Sequence, residues 1–190
     1  MSLAHDTHAT TSPNGGWSTK RIAVCALFCA ISAVCTLFLE FPIMPGVEWL
    51  RYDPSGVVAL LAGFSFGPAV GAIVSILPYF VHLGTSGGIY GTIMAILATF
   101  ALVMPAALTY RKIQSIKGAI VGMAIGAIVC LVAVIVGNLV FTPLYSGMPI
   151  EAVQALILPV LVPFNVMKIA LNCVLGGLLL MPVSKAISQA

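Results

Sequence analysis

This 190-residue sequence predicts an all-α membrane protein: six transmembrane helices, with the N- and C-termini both cytoplasmic. Three observations carry that reading. Hydrophobic residues make up 61% of the chain and charged residues 7%, with a mean hydropathy of +1.14; a soluble domain carries roughly 25% charged residues. The apolar runs are long enough to cross a hydrocarbon core of about 30 Å. Six of the eight basic residues, Lys20, Arg21, Arg111, Lys112, Lys117 and Lys185, share one side of the membrane only if the chain crosses it six times.

Residues 1–19, with Ser, Thr, Gly and Pro, read as a disordered cytoplasmic tail, and residues 20–190 as a single six-helix domain. Lys20 and Arg21 lead into span one, Ile22–Leu39. Ala26 and Ala30, with Ala23 and Ala33 nearby, put small residues at four-residue spacing, where another helix approaches closely. From the residues alone, packing within the chain explains them. The next stretch, Leu39–Asp53, holds Pro42, Pro45 and Gly46 and cannot continue the helix. It is apolar and aromatic for a loop, which suits a lid over a pocket or an interfacial anchor through Trp49 and Tyr52.

Asp53 is placed to cap the following helix, with Pro54 at its first position and Gly56–Phe66 in its body. Gly67-Pro68 interrupts the pattern, and Ala69–His82 resumes it. Residues 54–66 reach only about 20 Å at roughly 1.5 Å per residue. If 54–83 were one kinked span, Arg111, Lys112 and Lys117 would lie opposite Lys20 and Arg21. As two short spans, they bring all of these and Lys185 to one side, with Glu40, Glu48, Asp53 and Glu151 on the other. A short span is tolerated where other helices or a cavity surround it. Gly84–Gly88 reads as an external turn, Ile89–Tyr110 as span four with a kink at Pro105, and Arg111–Lys117 as a cytoplasmic hinge. Span five, Gly118–Phe141, opens with a close-packing ridge of Gly118, Gly122 and Gly126. An external loop, Thr142–Ile150, follows. Residues 151–162 form a helical lead-in interrupted by Pro159 and Pro163, and span six runs Phe164–Pro182.

Asn165, Lys168 and Asn172 share one face of span six. A Lys within a membrane helix costs roughly 2.5–3.5 kcal/mol on insertion scales and usually faces a cavity or partner. Snorkelling to the interface would leave the two amides on its face unexplained. Glu40 at the end of span one and Asn138 near the end of span five come to the same outer half of the bilayer. Together they suggest a pocket for a neutral or amphipathic molecule with several hydrogen-bonding groups, its ring system capped by aromatic loop residues. The plainer reading is that Glu40 and Lys168 pair with each other. Cys25, Cys29, Cys35, Cys130 and Cys173 lie in apolar spans without metal-ligand spacing and read as packing residues. There is no Walker A sequence, HExxH or nucleophile elbow, so neither an enzyme, a bound metal nor a cofactor is expected. A binding subunit that draws its energy from other chains fits.

Tyr52-Asp53-Pro54-Ser55, the break Ala62-Gly63-Phe64-Ser65-Phe66-Gly67-Pro68, and Phe164-Asn165-Val166-Met167-Lys168 with Asn172 make the chain resemble the S components of energy-coupling factor (ECF) vitamin transporters, of the riboflavin type. The match runs from Lys20 to Ser184. The resemblance implies a six-helix fold with an extracellular-side pocket under the loop between spans one and two, in the bacterial cell membrane. It implies riboflavin as transported ligand, contacted by Asn165 and Lys168. Glu40 and Asn138 match further contacts, and Asp53 and Asn172 complete the candidate set. Ala26-xxx-Ala30 looks like the motif by which such subunits dock on a coupling module, a transmembrane coupling protein with two ATPases. The stretches Thr85–Gly91, with Tyr90, and Pro78-Tyr79-Phe80 depart from the family pattern. They keep a flavin nucleotide or another water-soluble vitamin as alternatives. A structural or regulatory membrane protein is the alternative from a different class.

Overall fold

A bilayer offers backbone amides no partner, so apolar runs must close their hydrogen bonds within helices. The computed structural model describes residues 17–48, 50–84 and 88–189, with only the backbone given at His82, Ser188 and Gln189. Among these residues, α1 is Thr19–Phe38, α2 Ser55–Phe66, α3 Pro68–Ile76, α4 Gly88–Lys112, α5 Ile116–Ser146, α6 Ile150–Leu156 and α7 Val162–Gln189. A 3₁₀ segment, Leu77–Gly84, extends α3, and a π turn, Ile157–Leu161, joins α6 to α7. Between α1 and α2 a hairpin pairs β1, Phe41–Pro42, antiparallel with β2, Arg51–Tyr52. Among the described residues, four helical runs are long and apolar enough to cross a membrane: α1, α4, α5 and Ile150–Ile187. The apolar helices Ser55–Phe66 and Pro68–Val81 are shorter.

The short α2 sits at the centre. Every residue from Ser55 to Ser65 except Val58 is buried, and the helix packs against α1, α3, α4 and α7. A helix apolar all round belongs in a core, and protein rather than lipid surrounds this one, so its length is no obstacle. Leu60 on α2 itself and Val70, Val74, Leu102, Val103 and Val134 on α3, α4 and α5 belong to one wholly buried cluster. The α2–α3 turn needs Gly67, whose φ of +91° suits no side chain, and Pro68 then opens α3. The expected ridge on α5 packs within the chain: a Cβ on Gly122 would lie 2.6 Å from the Ala106 carbonyl oxygen of α4.

Several boundaries differ from the sequence reading. Ordered structure begins before Lys20: Ser18 caps α1 by accepting from the Arg21 N–H at 3.2 Å, and the Trp17 ring carries the Arg21 guanidinium at 4.5 Å. Pro54 flanks α2 rather than opening it, and the Asp53 carboxylate accepts from the Ser55 N–H at 3.0 Å, doing the capping from one residue further out. α4 is continuous through Pro105. α5 runs through Pro143 to Ser146 where a loop was expected, and side chains bond along its last turns. Thr142 donates to the Asn138 amide oxygen at 3.1 Å, Ser146 donates to the Thr142 carbonyl at 2.6 Å, and left-handed Gly147 closes the end. Nor do Pro159 and Pro163 break the last helical run, since the wider π turn accommodates the missing N–H of Pro159. The expected turn at Gly84–Gly88 falls partly on residues 85–87, outside the described residues.

Arg21 Nη2 donates to the Phe66 carbonyl at 3.3 Å, joining the start of α1 to the end of α2. Thr36 and Asp53 join their opposite ends. Arg21 therefore lies at one end of the bundle, and Glu40 and Asp53, each with its basic partner Arg51 or Lys168, at the other, acidic end. A six-crossing topology with the Arg21 end in the cytoplasm predicts that, in a cysteine-free background, Gly147→Cys reacts with an impermeant thiol reagent in intact cells and Ser115→Cys does not. Labelling at Ser115 would overturn that topology.

Candidate ligand-binding site

At the acidic end the hairpin and helices α4, α5 and α7 enclose a cavity of about 500 Å³. The hairpin segment supplies Glu40, Glu48, Leu50, Arg51 and Asp53. α4 supplies Tyr90, Met94, Ala95 and Ala98, α5 supplies Val134, Asn138 and Tyr145, and α7 supplies Phe164, Asn165 and Lys168. The loop expected as a lid or an anchor thus forms a hairpin that lines the cavity. Phe41 meets Tyr52 edge-on at 5.6 Å, and Arg51 donates to the Glu40 carbonyl at 2.9 Å and faces its carboxylate at 3.5 Å. Trp49 lies outside the described residues.

Five of the six expected ligand residues line this cavity: Glu40, Asp53, Asn138, Asn165 and Lys168. Asn165 Nδ2 donates to the Leu161 carbonyl at 2.7 Å, and Asn138 Nδ2 to the Val134 carbonyl at 2.8 Å, bonds that fix each amide against its own helix. Asn172 is the exception. It is buried but does not line the cavity; its oxygen accepts from the Tyr52 hydroxyl at 3.2 Å, and its amide nitrogen lies where a Cβ on Gly56 would approach to 2.5 Å. Being one turn deeper on α7, it meets α2 and the base of β2 instead.

Lys168 neither snorkels nor pairs with Glu40. Its side chain is 13% exposed, and its ammonium stands 3.4 Å from Asp53, itself 2% exposed. Glu40 is taken by Arg51. Asp53 also accepts from the Ser55 N–H and hydroxyl and from Thr36 at 3.5 Å. In the loop ahead of α2, burial alone would raise its carboxyl. The Lys168 charge and the Ser55 bonds outweigh burial and hold it below the usual carboxylate range. The network continues away from the cavity: the Ser55 hydroxyl meets the Tyr79 hydroxyl at 2.5 Å, which meets Thr99 Oγ1 at 2.6 Å.

Sequence reasoning missed Arg51, Met94, Tyr145 and Phe164 at the cavity, and left Tyr90 without a role. Tyr90 lies 5.9 Å from Tyr145 and 6.3 Å from Phe141 between ring centres, an aromatic rim opposite the hairpin. Its position directly after a glycine-rich stretch is the signal that marks it. Ala26 and Ala30 stay exposed on α1, with Leu27, Ile31 and Val34. Intrachain packing therefore does not account for the small-residue pair. Among the described residues no group of three His, Cys, Asp or Glu side chains is arranged to hold a metal.

A family model described as "ECF transporter, substrate-specific component" matches residues 20–180. The chain is 32% identical to "Riboflavin transporter RibU" of Staphylococcus aureus, over 78% of this chain and 82% of that protein. It is 27% identical to "Riboflavin transporter FmnP" of Bacillus subtilis, over 78% and 84%. Its fold superposes with a TM-score of 0.76 and 28% identity on a solved structure titled "Structure and mechanism of the S component of a bacterial ECF transporter", covering 88% of this chain and 97% of that one.

Removing one member of a buried ion pair strands the other at a cost of about 3–5 kcal/mol, whereas replacing both by apolar groups is far milder. Asp53→Ala is therefore expected to lower the thermal midpoint in detergent sharply. Combining it with Lys168→Met is expected to restore much of the loss. A double variant as unstable as the sum of the two single ones would show that the pair does not act as a unit.

Proposed function

This chain belongs to the ECF transporter substrate-specific components, and we propose that it captures riboflavin in the cavity beneath its β1–β2 hairpin. It is a multi-pass membrane protein and a transport subunit, not an enzyme. The carrying observation is the meeting of Asn138, Asn165 and Lys168 with the apolar side chains of Met94, Ala95, Ala98, Val134 and Phe164 around one cavity. A flavin needs such a mixture, with an apolar dimethylbenzene edge, a hydrogen-bonding pyrimidine edge and a polyol tail. A volume of about 500 Å³ lies within the roughly 300–1,000 Å³ of small-molecule pockets. The relatives named as riboflavin transporters support the same ligand.

The charges favour a neutral flavin over its phosphate ester. Among the described lining residues the cations are Arg51 and Lys168, and each faces a carboxylate, Glu40 and Asp53 respectively, while Glu48 adds a further negative charge. A phosphate would enter without an unpaired cation to meet it. Delivery across the membrane falls to an ECF module, a transmembrane coupling protein with two ATPases in our reading. The exposed Ala26 and Ala30 of α1 offer a helix surface on which it docks closely.

Leaving a buried polar partner unmet costs about 1–3 kcal/mol, and about 1.4 kcal/mol is tenfold in affinity. By quenching of flavin fluorescence, Asn165→Ala and Lys168→Met should each bind riboflavin roughly tenfold more weakly than the parent, and flavin mononucleotide should bind the parent more weakly than riboflavin does. Unchanged affinity in both variants would remove α7 from the site, and preference for the nucleotide would reverse the ligand. In a separate measurement, Ala26→Trp is expected to abolish ATP-driven uptake and spare riboflavin binding; loss of both would return this face to intrachain packing.

A further inference from the structure

We propose that Tyr79 and Thr99, which lie outside the cavity, are positioning residues for the Lys168 ammonium, acting through the directed hydrogen-bond chain Thr99→Tyr79→Ser55→Asp53. The direction follows from counting protons. Lys168 faces Asp53 at 3.4 Å as an ammonium, so the carboxylate it pairs with accepts only. Ser55 meets that carboxylate through its hydroxyl and must donate its single proton there. The 2.5 Å bond between Ser55 and Tyr79 then requires Tyr79 to donate. Tyr79 has one proton as well, so Thr99, at 2.6 Å, donates to Tyr79. All four groups are at least nine-tenths buried. No hydroxyl can reverse without leaving two protons, or none, in one of the bonds.

The carboxylate at the end of this chain has two oxygens with distinct work. Oδ1 takes Ser55 and Thr36, and Oδ2 takes Lys168. Rotation of the carboxylate would trade these partners, and the hydroxyl chain opposes that rotation. It thereby keeps Oδ2 turned toward α7 and the cavity, where it holds the ammonium. In an interior where each bond polarises the next, the distal members strengthen the Ser55–Asp53 bond. Tyr79 is the joint of the chain, since it links the 3₁₀ segment to both α2 and α4. It also accounts for a tyrosine in a stretch that is otherwise apolar.

The affinity test rests on the proposed riboflavin site, and a second readout does not. Thr99→Val removes one hydrogen bond of the chain and Tyr79→Phe two, so the near-isosteric Thr99→Val is predicted to weaken riboflavin binding roughly three- to tenfold and Tyr79→Phe at least as much. In a Lys168→Met background the same substitutions should change affinity by less than about twofold, because the positioned group is gone. Equal weakening in both backgrounds, or none in the parent, overturns the proposal. In the ligand-free protein, labelling of Lys168 by an amine-reactive reagent, read by mass spectrometry well below the variant's thermal midpoint, should quicken severalfold in Tyr79→Phe. Should riboflavin fail to bind the parent, this labelling alone decides: faster labelling upholds the positioning role while the ligand assignment falls, and an unchanged rate overturns it. If Tyr79→Phe does not fold, Thr99→Val carries both measurements.

Discussion

A carboxylate sealed from water must find donors on every side, and Asp53 finds them on three helices: Thr36 on α1, Ser55 on α2 and Lys168 on α7. The mouth of the bundle is built around that requirement. Separating α7 would leave two charges unmatched in a medium of low polarity, where the penalty is several kcal/mol per ion, and separating α1 or α2 would strip neutral donors from the carboxylate. Asp53 follows directly on β2, so the same charge tethers the hairpin over the cavity. Tyr52 adds a second tether through Asn172, and the contact between Asn172 and Gly56 leaves no room for a side chain at position 56.

Apolar packing supplies what the polar knot cannot. Within a bilayer the hydrophobic effect does not draw helices together, and close approach through small residues takes its place. Gly63 and Gly71 bring α2 against α3, and Gly122 brings α5 against α4. The outward faces of α1 and α5 carry exposed Leu27, Ile31, Val34, Ile128 and Val132. Such surface would be an aggregation hazard in water and is ordinary toward lipid. On α1 the alanines lower the profile of that surface, the property that suits it to another helix.

The cavity uses the polar residues left over from these two tasks. Asn138 and Asn165 are each anchored to their own helix and line the cavity, and Lys168 is held from below by Asp53. The pocket's hydrogen-bonding edge is therefore set before any ligand arrives, which reduces the ordering cost of binding.

The sequence by itself determined the long apolar helices, the break at Gly67-Pro68 and most of the polar lining. At membrane depth each polar side chain carries a cost, so Glu40, Asn138, Asn165 and Lys168 stood out against their apolar surroundings, and charge segregation chose how to read 54–83. It could not assign partners. Periodicity puts Asn165, Lys168 and Asn172 on one face, yet only the neighbouring elements decide that the first two meet the cavity while Asn172 meets Tyr52. Lys168 pairs with Asp53, 115 residues away, rather than with Glu40, and the hydroxyls of Ser55, Tyr79 and Thr99, to which the sequence assigned no partners, form one chain. α5 outlasts Pro143, and Asn138, Thr142 and Ser146 bond along its last turns. Spans follow from local hydrophobicity, which every residue carries with it. Which donor meets which acceptor depends on how the helices pack, and only the tertiary structure decides that.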